Sequence, residues 1–172
     1  MIRSQNDTEV SSSLRERERR VQNFTPEFND CHDLPSALAA TVSAFKAQTG
    51  TLHQVGADGL LHLSAVVGNF PPSVLAAISS IPIGKGMAGL AAERRVPVTV
   101  CNLQCDTSGD VRPGARATGM EGAIAVPCLG GSDGTDVVGV LGIANSMPRT
   151  FTPAEQGALL ECGRLLCARY RA

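Results

Sequence analysis

Residues 81–97 read IPIGKGMAGLAAERRVP, and the rest of the chain can be arranged around this stretch. A short apolar run leads into Gly84, Gly86 and Gly89, and a helix-forming segment over 87–95 follows and ends before Pro97. Glycines allow positive φ angles and close backbone approach, and a helix start leaves N–H groups without intrahelical partners. The turn therefore has two interpretations: a cradle for a small polar or anionic ligand, or a tight strand-to-helix connection. It is not a nucleotide motif, because it lacks Gly-Lys-Ser/Thr and the long βαβ context of a dinucleotide site.

The composition fits one domain with no nucleic-acid partner and no membrane segment. The chain has 172 residues, and 15 Lys and Arg against 16 Asp and Glu give a net charge of −1. This balance argues against a nucleic-acid surface. No apolar run approaches the ~20 residues of a membrane helix, and no signal peptide begins the chain. We therefore expect a cytoplasmic protein.

Two cysteines stand out among six, which are Cys31, Cys101, Cys105, Cys128, Cys162 and Cys167. Free cysteines in a domain with a sizeable core behave as small buried hydrophobes, and we expect most of these to be structural thiols. Cys101 and Cys105 are the candidates for redox chemistry, because Arg112 and Arg116 in the same loop could lower a thiol pKa. Their spacing does not fit a zinc pair without a second pair elsewhere, so no metal site is expected.

The chain divides into a polar arm at residues 1–30 and a globular domain at 31–172. The arm is strongly charged, and only Val10, Leu14 and Val21 form a thin apolar stripe at helical spacing. Such a segment is either a solvated arm or a helix that pairs with a second helix. From Asp33, a good N-cap, the pattern changes to alternating helices and strands.

The spacing of apolar residues predicts a helix over 34–49 that Gly50 ends, and then a β-hairpin. The hairpin strands are 51–55 and 60–67, joined by a turn at 56–59. Counting outward from this turn places His53 opposite His62. The two rings could belong to a metal site, or, since no third ligand is evident, lie on a half-solvated face of the sheet.

The second half of the chain predicts further elements of both kinds. A short helix runs through Ile78, a strand covers 98–100, and a long polar loop with one helical turn near 113–118 follows. Residues 123–129 and 137–145 are rich in β-branched side chains and predict a second antiparallel pair. Thr152-Pro-Ala-Glu155 is a capping box that opens the last helix. Hairpin connections indicate an α+β domain, with an antiparallel sheet of five to six strands and the terminal helices on one face.

The order and spacing of these motifs resemble the GAF domain family over residues 34–169. The stretches that carry the resemblance are 84–89 with its helix, 97–100, 123–127, 138–143 and 151–155. The resemblance implies a GAF/PAS-like fold in which a short helix and loops form a pocket on the sheet face opposite the terminal helices. Members bind cyclic nucleotides, tetrapyrroles, haem, amino acids or small anions, so the family alone does not identify a ligand.

Subfamily signatures narrow these choices. Cyclic-nucleotide-binding members carry a Lys and an acidic pair that are not reproduced here. Bilin attachment requires a Cys that is usually followed by His, whereas Cys105 is followed by Asp106. Free methionine sulfoxide reductases of this fold place a Cys in the Gly-rich turn, where this chain has Ala88.

The resemblance implies that one wall of the pocket is formed by residues 84–90 and 106–116. The candidate ligand-binding residues are Gly84, Lys85, Gly86, Met87, Ala88, Gly89, Asp106, Thr107, Ser108, Arg112 and Arg116. Their polar atoms are mostly donors, which favours a small anion such as nitrate or a short carboxylate, and nitrate-sensing members are the nearest precedent in kind.

We therefore expect a ligand-binding sensory domain that acts without a fused output domain, as a homodimer that signals through a protein partner. No cofactor and no catalytic residue are assigned. The alternative is a cysteine-dependent redox enzyme that acts through Cys101 or Cys105 on a small substrate. Replacing both thiols by Ser separates the two, since only the enzyme would lose its function.

Overall fold

The computed structural model of the protein describes residue 26 and residues 28–170. After a 3-10 turn at Phe28–Asp30, its helices are α1 (Leu34–Ala44), α2 (Pro72–Ile78), α3 (Gly86–Arg94), α4 (Pro113–Arg116) and α5 (Pro153–Arg169). Its strands are β1 (Thr49–Val55), β2 (Leu60–Val67), β3 (Ser80–Pro82), β4 (Val98–Val100), β5 (Ala123–Gly130) and β6 (Asp136–Ala144). Most of the polar arm at 1–30 lies outside the described residues.

The six strands form one antiparallel sheet in the order β3-β2-β1-β6-β5-β4. The α+β class and the sheet predicted from the sequence are therefore confirmed. Strand β1 lies at the centre, paired with β2 on one side and with β6 on the other. Alternate side chains of a strand point to opposite faces, so β1 contributes to both sides of the sheet.

The terminal helices α1 and α5 cover one face and bury the main core. Four side chains from these helices and their ends are at most 1% exposed and pack with strand residues such as Leu141. They are Leu38 in α1, Phe45 just after α1, and Leu159 and Leu166 in α5. The predicted capping box is present: the hydroxyl of Thr152 accepts from the N–H of Glu155, whose carboxylate accepts from the N–H of Thr152 at 2.8 Å. This face is a closed apolar layer.

Helix α1 is shorter than the sequence indicates, and the prediction of a helix over 34–49 is wrong at its end. The helix stops at Ala44, and Lys46 takes a left-handed φ of 52°. The N–H of Gln48 already donates to the carbonyl of Ala144 at 2.9 Å. Pairing with β6 thus overrides helix propensity, and Gly50 lies inside a strand rather than at a helix end.

The hairpin of β1 and β2 is shifted by one residue from the predicted register. The N–H of Gly56 bonds to the carbonyl of Leu60 at 2.8 Å, so the turn is wider than predicted and His53 pairs with Leu63. A shift of one residue moves a side chain to the other face of a sheet. His53 is therefore 2% exposed, whereas His62 is exposed and contacts Asp58 at 2.9 Å. Both interpretations of a His53–His62 pair, as a metal site or as a half-solvated pair, are wrong.

No described helix is long and apolar enough to cross a bilayer. Cys128, Cys162 and Cys167 are buried as expected of structural thiols, and Cys31 is half-buried. Cys101 and Cys105, the two candidates for redox chemistry, are exposed. They lie in the loop after β4.

Candidate functional site: a cavity on the open face of the sheet

A cavity of about 550 Å³ lies on the sheet face opposite α1 and α5. Its floor is formed by β1, β5 and β6, and its walls by α2, the Gly-rich turn with the start of α3, and the segment around α4. This volume is within the ~300–1,000 Å³ typical of small-molecule sites. Most of the lining is apolar, with Phe70, Val74, Ile78, Met87 and Met120 among the larger side chains. The cavity therefore suits a ligand with a substantial apolar part.

The Gly-rich turn brings the backbone of α3 to the cavity wall. Gly84 and Gly86 have φ angles of 82° and 63°, in the left-handed region that favours glycine. The N–H of Gly84 donates to the carbonyl of Gly89 at 2.9 Å, and a Cβ on Gly89 would clash with the carbonyl oxygen of Pro82. Because the turn is this tight, the first turn of α3 lies against the cavity.

Part of the candidate wall is in place, and part lies elsewhere. Lys85, Gly86, Met87 and Ala88 line the cavity together with Arg112, whose side-chain stem passes 3.2 Å from the position of a Cβ on Gly86. Thus the Gly-rich turn and the long loop meet at Arg112.

The other candidates do not line the cavity. They are Gly84, Gly89, Asp106, Thr107, Ser108 and Arg116. Arg116 donates to the carbonyl of Asp106 at 2.7 Å, and the Asp106 carboxylate accepts from the Ser108 hydroxyl at 2.7 Å. Arg94 holds the same loop through Asp110 at 3.2 Å. Asp106, Ser108 and Arg116 are thus hydrogen-bonded within the loop.

Lys85 and Arg112 are the charged side chains of the cavity wall, and both are cationic. Both residues are exposed, so they lie at the rim, where the cavity opens to solvent. Among the described residues neither side chain has a hydrogen-bond or ion-pair partner, and none of the described residues that line the cavity is acidic. The rim is therefore electrostatically suited to an anion.

The floor carries a histidine that the sequence analysis placed on the wrong face. Nε2 of His53 lies 2.9 Å from the carbonyl oxygen of Ile78, so Nε2 carries the proton and donates it. Nδ1 is buried and has no hydrogen-bond partner among the described residues. Burial lowers the pKa of His53, and the hydrogen bond to Ile78 opposes this shift only in part. His53 is thus a neutral ring whose Nδ1 is an acceptor.

Hydroxyl groups complete the polar lining. Thr49 and Thr51 lie on β1, the strand that carries His53, Ser80 begins β3, and Thr118 lies near α4. The Thr118 hydroxyl is already used, since it donates to the carbonyl of Ala115 at 2.6 Å and accepts from the N–H of Met120. Thr49 and Thr51 are the lining hydroxyls that share strand β1 with His53.

The cysteines take no part in this site. Cys101 accepts from the Thr150 hydroxyl at 3.8 Å and Cys105 donates to the carbonyl of Asn102 at 3.9 Å, both outside the cavity wall. Burial raises the pKa of Cys162 to about 12, and burial together with the neighbouring Cys167 raises the pKa of Cys128 well above its ordinary value. In the described part of the chain, no three His, Cys, Asp or Glu side chains are grouped as metal ligands.

Comparison with known proteins supports this description of the fold. The GAF domain family model matches residues 33–169, whereas no curated protein sequence matches the chain. The GAF domain of an Acinetobacter phosphoenolpyruvate-protein phosphotransferase is 21% identical, with 91% of each chain covered and a TM-score of 0.64. The corresponding GAF domain from Coxiella burnetii is 19% identical, with 90% of each chain covered and a TM-score of 0.65.

A third similar structure is an enzyme. The free methionine-R-sulfoxide reductase of Neisseria meningitidis, solved in complex with its substrate, is 23% identical, and the match covers 91% of this chain and 85% of that one with a TM-score of 0.64. At these identities all three similarities show the fold alone.

Proposed function

Because the chain belongs to the GAF domain family, a ligand-binding regulatory fold, we propose that it is a sensory domain whose cavity binds a small organic anion. The observation that carries this proposal is a mostly apolar cavity whose charged wall residues, Lys85 and Arg112, are both cationic. An apolar body of the ligand fills the interior, and its anionic group lies at the rim.

The size of the cavity favours a carboxylate over nitrate. One water occupies about 30 Å³ of liquid volume, so a four-atom anion would fill a small part of about 550 Å³ and leave the apolar lining without contacts. A carboxylate with an apolar chain contacts both the lining and the rim. Nitrate is therefore the less suitable of the two anions predicted from the sequence.

The start of α3 adds a second contribution to anion binding. Gly86, Met87 and Ala88 form its first turn and line the cavity, and first-turn N–H groups have no partner within the helix. A helix N-terminus favours an anion by about 0.3–1 kcal/mol when exposed and up to about 2 kcal/mol when partly buried. The nine residues of α3 are enough to supply this field at the rim.

Calorimetry with hexanoate, nitrate and the neutral hexan-1-ol tests the proposal. Hexanoate is expected to bind most tightly. Because the rim is exposed, Lys85→Ala and Arg112→Ala should each weaken hexanoate binding by a factor of only about 2–5. Arg116→Ala is the matched control, since Arg116 lies outside the wall, and it should leave the affinity unchanged. Equal affinities for hexanoate and hexanol, or equal losses in all three variants, would contradict the anion site.

The cysteine-dependent redox enzyme is not proposed as a second function, because Cys101 and Cys105 are separate from the cavity. The double variant Cys101→Ser/Cys105→Ser should bind hexanoate as the wild type does. A loss of binding in this variant would reopen the redox alternative.

A homodimer that signals to a protein partner in the cytoplasm stays a proposal. The apolar stripe of α5 is buried in the domain core through Leu159, Cys162 and Leu166, so α5 does not offer it to a second copy. The dimer contact is therefore assigned to the arm at 1–30, most of which lies outside the described residues. Sedimentation at micromolar concentration should show a dimer for the full chain and a monomer for residues 31–172.

A further inference from the structure

His53 lies in the cavity floor, and one of its two ring nitrogens has no hydrogen-bond partner among the described residues. It lies on β1, the strand that pairs with both β2 and β6, and is 2% exposed. Its Nε2–H bond to the carbonyl of Ile78 links the floor to the end of α2, which is another part of the cavity wall. This bond fixes the ring and uses the one proton of the neutral imidazole. Nδ1 is left as a bare acceptor.

A buried acceptor without a partner is uncommon and costs stability, so it calls for an explanation. In the described residues, His53 Nδ1 is the buried side-chain nitrogen or oxygen that lacks one. His53 is also one of the residues that line the cavity. A ligand in the cavity can supply the missing donor, since the described residues supply none.

The charge of the wall decides which kind of donor fits. A ligand ammonium would need a carboxylate partner, and none of the described lining residues is acidic. Burying an unpaired ammonium in an apolar cavity is costly, whereas a hydroxyl or amide N–H needs only an acceptor. His53 supplies that acceptor on the floor, while Lys85 and Arg112 supply positive charge at the rim.

We propose that the ligand is an organic anion with a neutral hydrogen-bond donor, a hydroxyl or an amide N–H, at the end away from its charge. The donor binds Nδ1 of His53, and the anionic group lies by Lys85 and Arg112. This specificity rests on the proposed function, because it concerns the same cavity. Hydroxy acids are accordingly preferred over unsubstituted acids, and amino acids are disfavoured.

A matched series of probes tests the class of ligand in the wild-type protein. The probes are 6-hydroxyhexanoate, hexanoate and 6-aminohexanoate, each with its shorter and longer homologues, measured by calorimetry. At the best chain length we expect the hydroxy acid to bind about fivefold more tightly than the plain acid, as one net hydrogen bond provides. The amino acid should bind most weakly. Equal affinities of hydroxy and plain acids at every length, or tightest binding of the amino acid, would overturn the proposal.

Two variants separate the two nitrogens of His53. In His53→Gln the amide N–H reaches the position of Nε2 and keeps the bond to Ile78, but the acceptor at Nδ1 is lost. The preference for the hydroxy acid should then disappear, while hexanoate affinity stays within about twofold of the wild type. His53→Asn places an amide oxygen near Nδ1 and should retain the preference. His62→Gln is the control at an exposed histidine outside the cavity, and it should behave as the wild type.

The outcomes keep the two proposals distinct. If hexanoate binds and depends on Lys85 and Arg112, but His53→Gln retains the hydroxy-acid preference, the role of His53 is wrong and the anion site stands. If no carboxylate of the series binds the wild type at millimolar concentration, both proposals fail. If His53→Gln does not fold, as judged by thermal melting, His53→Leu takes its place, because it also lacks an acceptor at the position of Nδ1; a folded His53→Leu variant that retains the hydroxy-acid preference overturns the role of His53.

Discussion

The two faces of the sheet use the same strands for different purposes. On the face of α1 and α5, strand side chains such as Leu52 and Leu141 pack with helix residues and are fully buried. On the other face, β1 presents Thr51 and His53 to a cavity, and Lys85 and Arg112 lie at its rim without partners among the described residues. The first face is packed within the domain. The second leaves a buried nitrogen, Nδ1 of His53, and two exposed cationic side chains without protein partners among the described residues.

This difference indicates that the packed face contributes most of the stability and that the cavity face is free to bind a ligand. Dense apolar packing and the capped α5 fix the sheet, and a fixed sheet can tolerate an unpaired nitrogen on its other face. The backbone of β1 is held by β2 and β6 on both sides, so His53 is a rigidly placed group. Predictions that compare the two faces therefore test the account.

The largest expected effect is the contrast between a core residue and a cavity residue of similar size. Leu166→Ala should lower the free energy of unfolding by about 2–5 kcal/mol, because it leaves a void among fully buried side chains. Met87→Ala should cost roughly 1 kcal/mol, since Met87 is half-buried and already borders open space. Urea denaturation of both variants measures this, and equal losses would mean that the cavity face is packed as tightly as the core.

A smaller effect separates two helical glycines. Gly89→Ala should destabilise by about 1–3 kcal/mol, because its Cβ would clash with the carbonyl of Pro82 in the Gly-rich turn. Gly157→Ala in α5 is the matched control, since no atom lies within 4 Å of its Cβ position, and it should stabilise by about 0.5–1 kcal/mol. Both values come from thermal melting. A harmless Gly89→Ala would show that the turn is not tightly packed.

The smallest effect is the pH dependence that His53 adds to stability. Its pKa is lowered in the folded protein, so below the ordinary value of 6.5 the unfolded chain takes up a proton that the folded chain resists. Stability contributed by the neutral ring is complete above 6.5 and is lost as the pH falls through the lowered pKa. Urea denaturation at about pH 7.5 and about pH 5.5 should show a larger loss for the wild type than for His53→Gln. His32→Gln, at an exposed position, is the control and should lose as much stability between these pH values as the wild type. An equal loss of unfolding free energy in the wild type and His53→Gln would contradict a buried neutral ring.

The sequence predicts the elements of this domain better than their contacts. Helix α5 and strands β2 and β4 follow from local signals, namely a capping box and apolar patterns bounded by turn residues. The end of α1 does not follow from a local signal, because Gln48 hydrogen-bonds to Ala144 in β6, a strand nearly a hundred residues later. Long-range pairing of this kind has no local signature.

The site was only half predictable for the same reason. The motifs and the family resemblance predicted residues 85–88 and Arg112 as ligand-binding residues, and these residues line the cavity. His53 was assigned to the wrong face because the turn after β1 contains one more residue than its glycines suggest. The available signal was a histidine on a strand with threonines at alternate positions, Thr49 and Thr51. Only the correct register of the hairpin would have placed this histidine on the buried face. Asp106, Ser108 and Arg116 bond to one another within their loop, which composition alone does not show.

The most direct test of the cavity as a ligand site is the nitrogen NMR spectrum of the His53 ring in the wild-type protein. In the free protein at neutral pH, Nε2 should give the signal of a protonated nitrogen and Nδ1 that of an unprotonated one. Saturation with 6-hydroxyhexanoate should shift the Nδ1 signal as it accepts a hydrogen bond and leave Nε2 unchanged, while hexanoate should shift neither. A protonated Nδ1 in the free protein, or an Nδ1 signal that is the same with and without the bound hydroxy acid, would contradict the account.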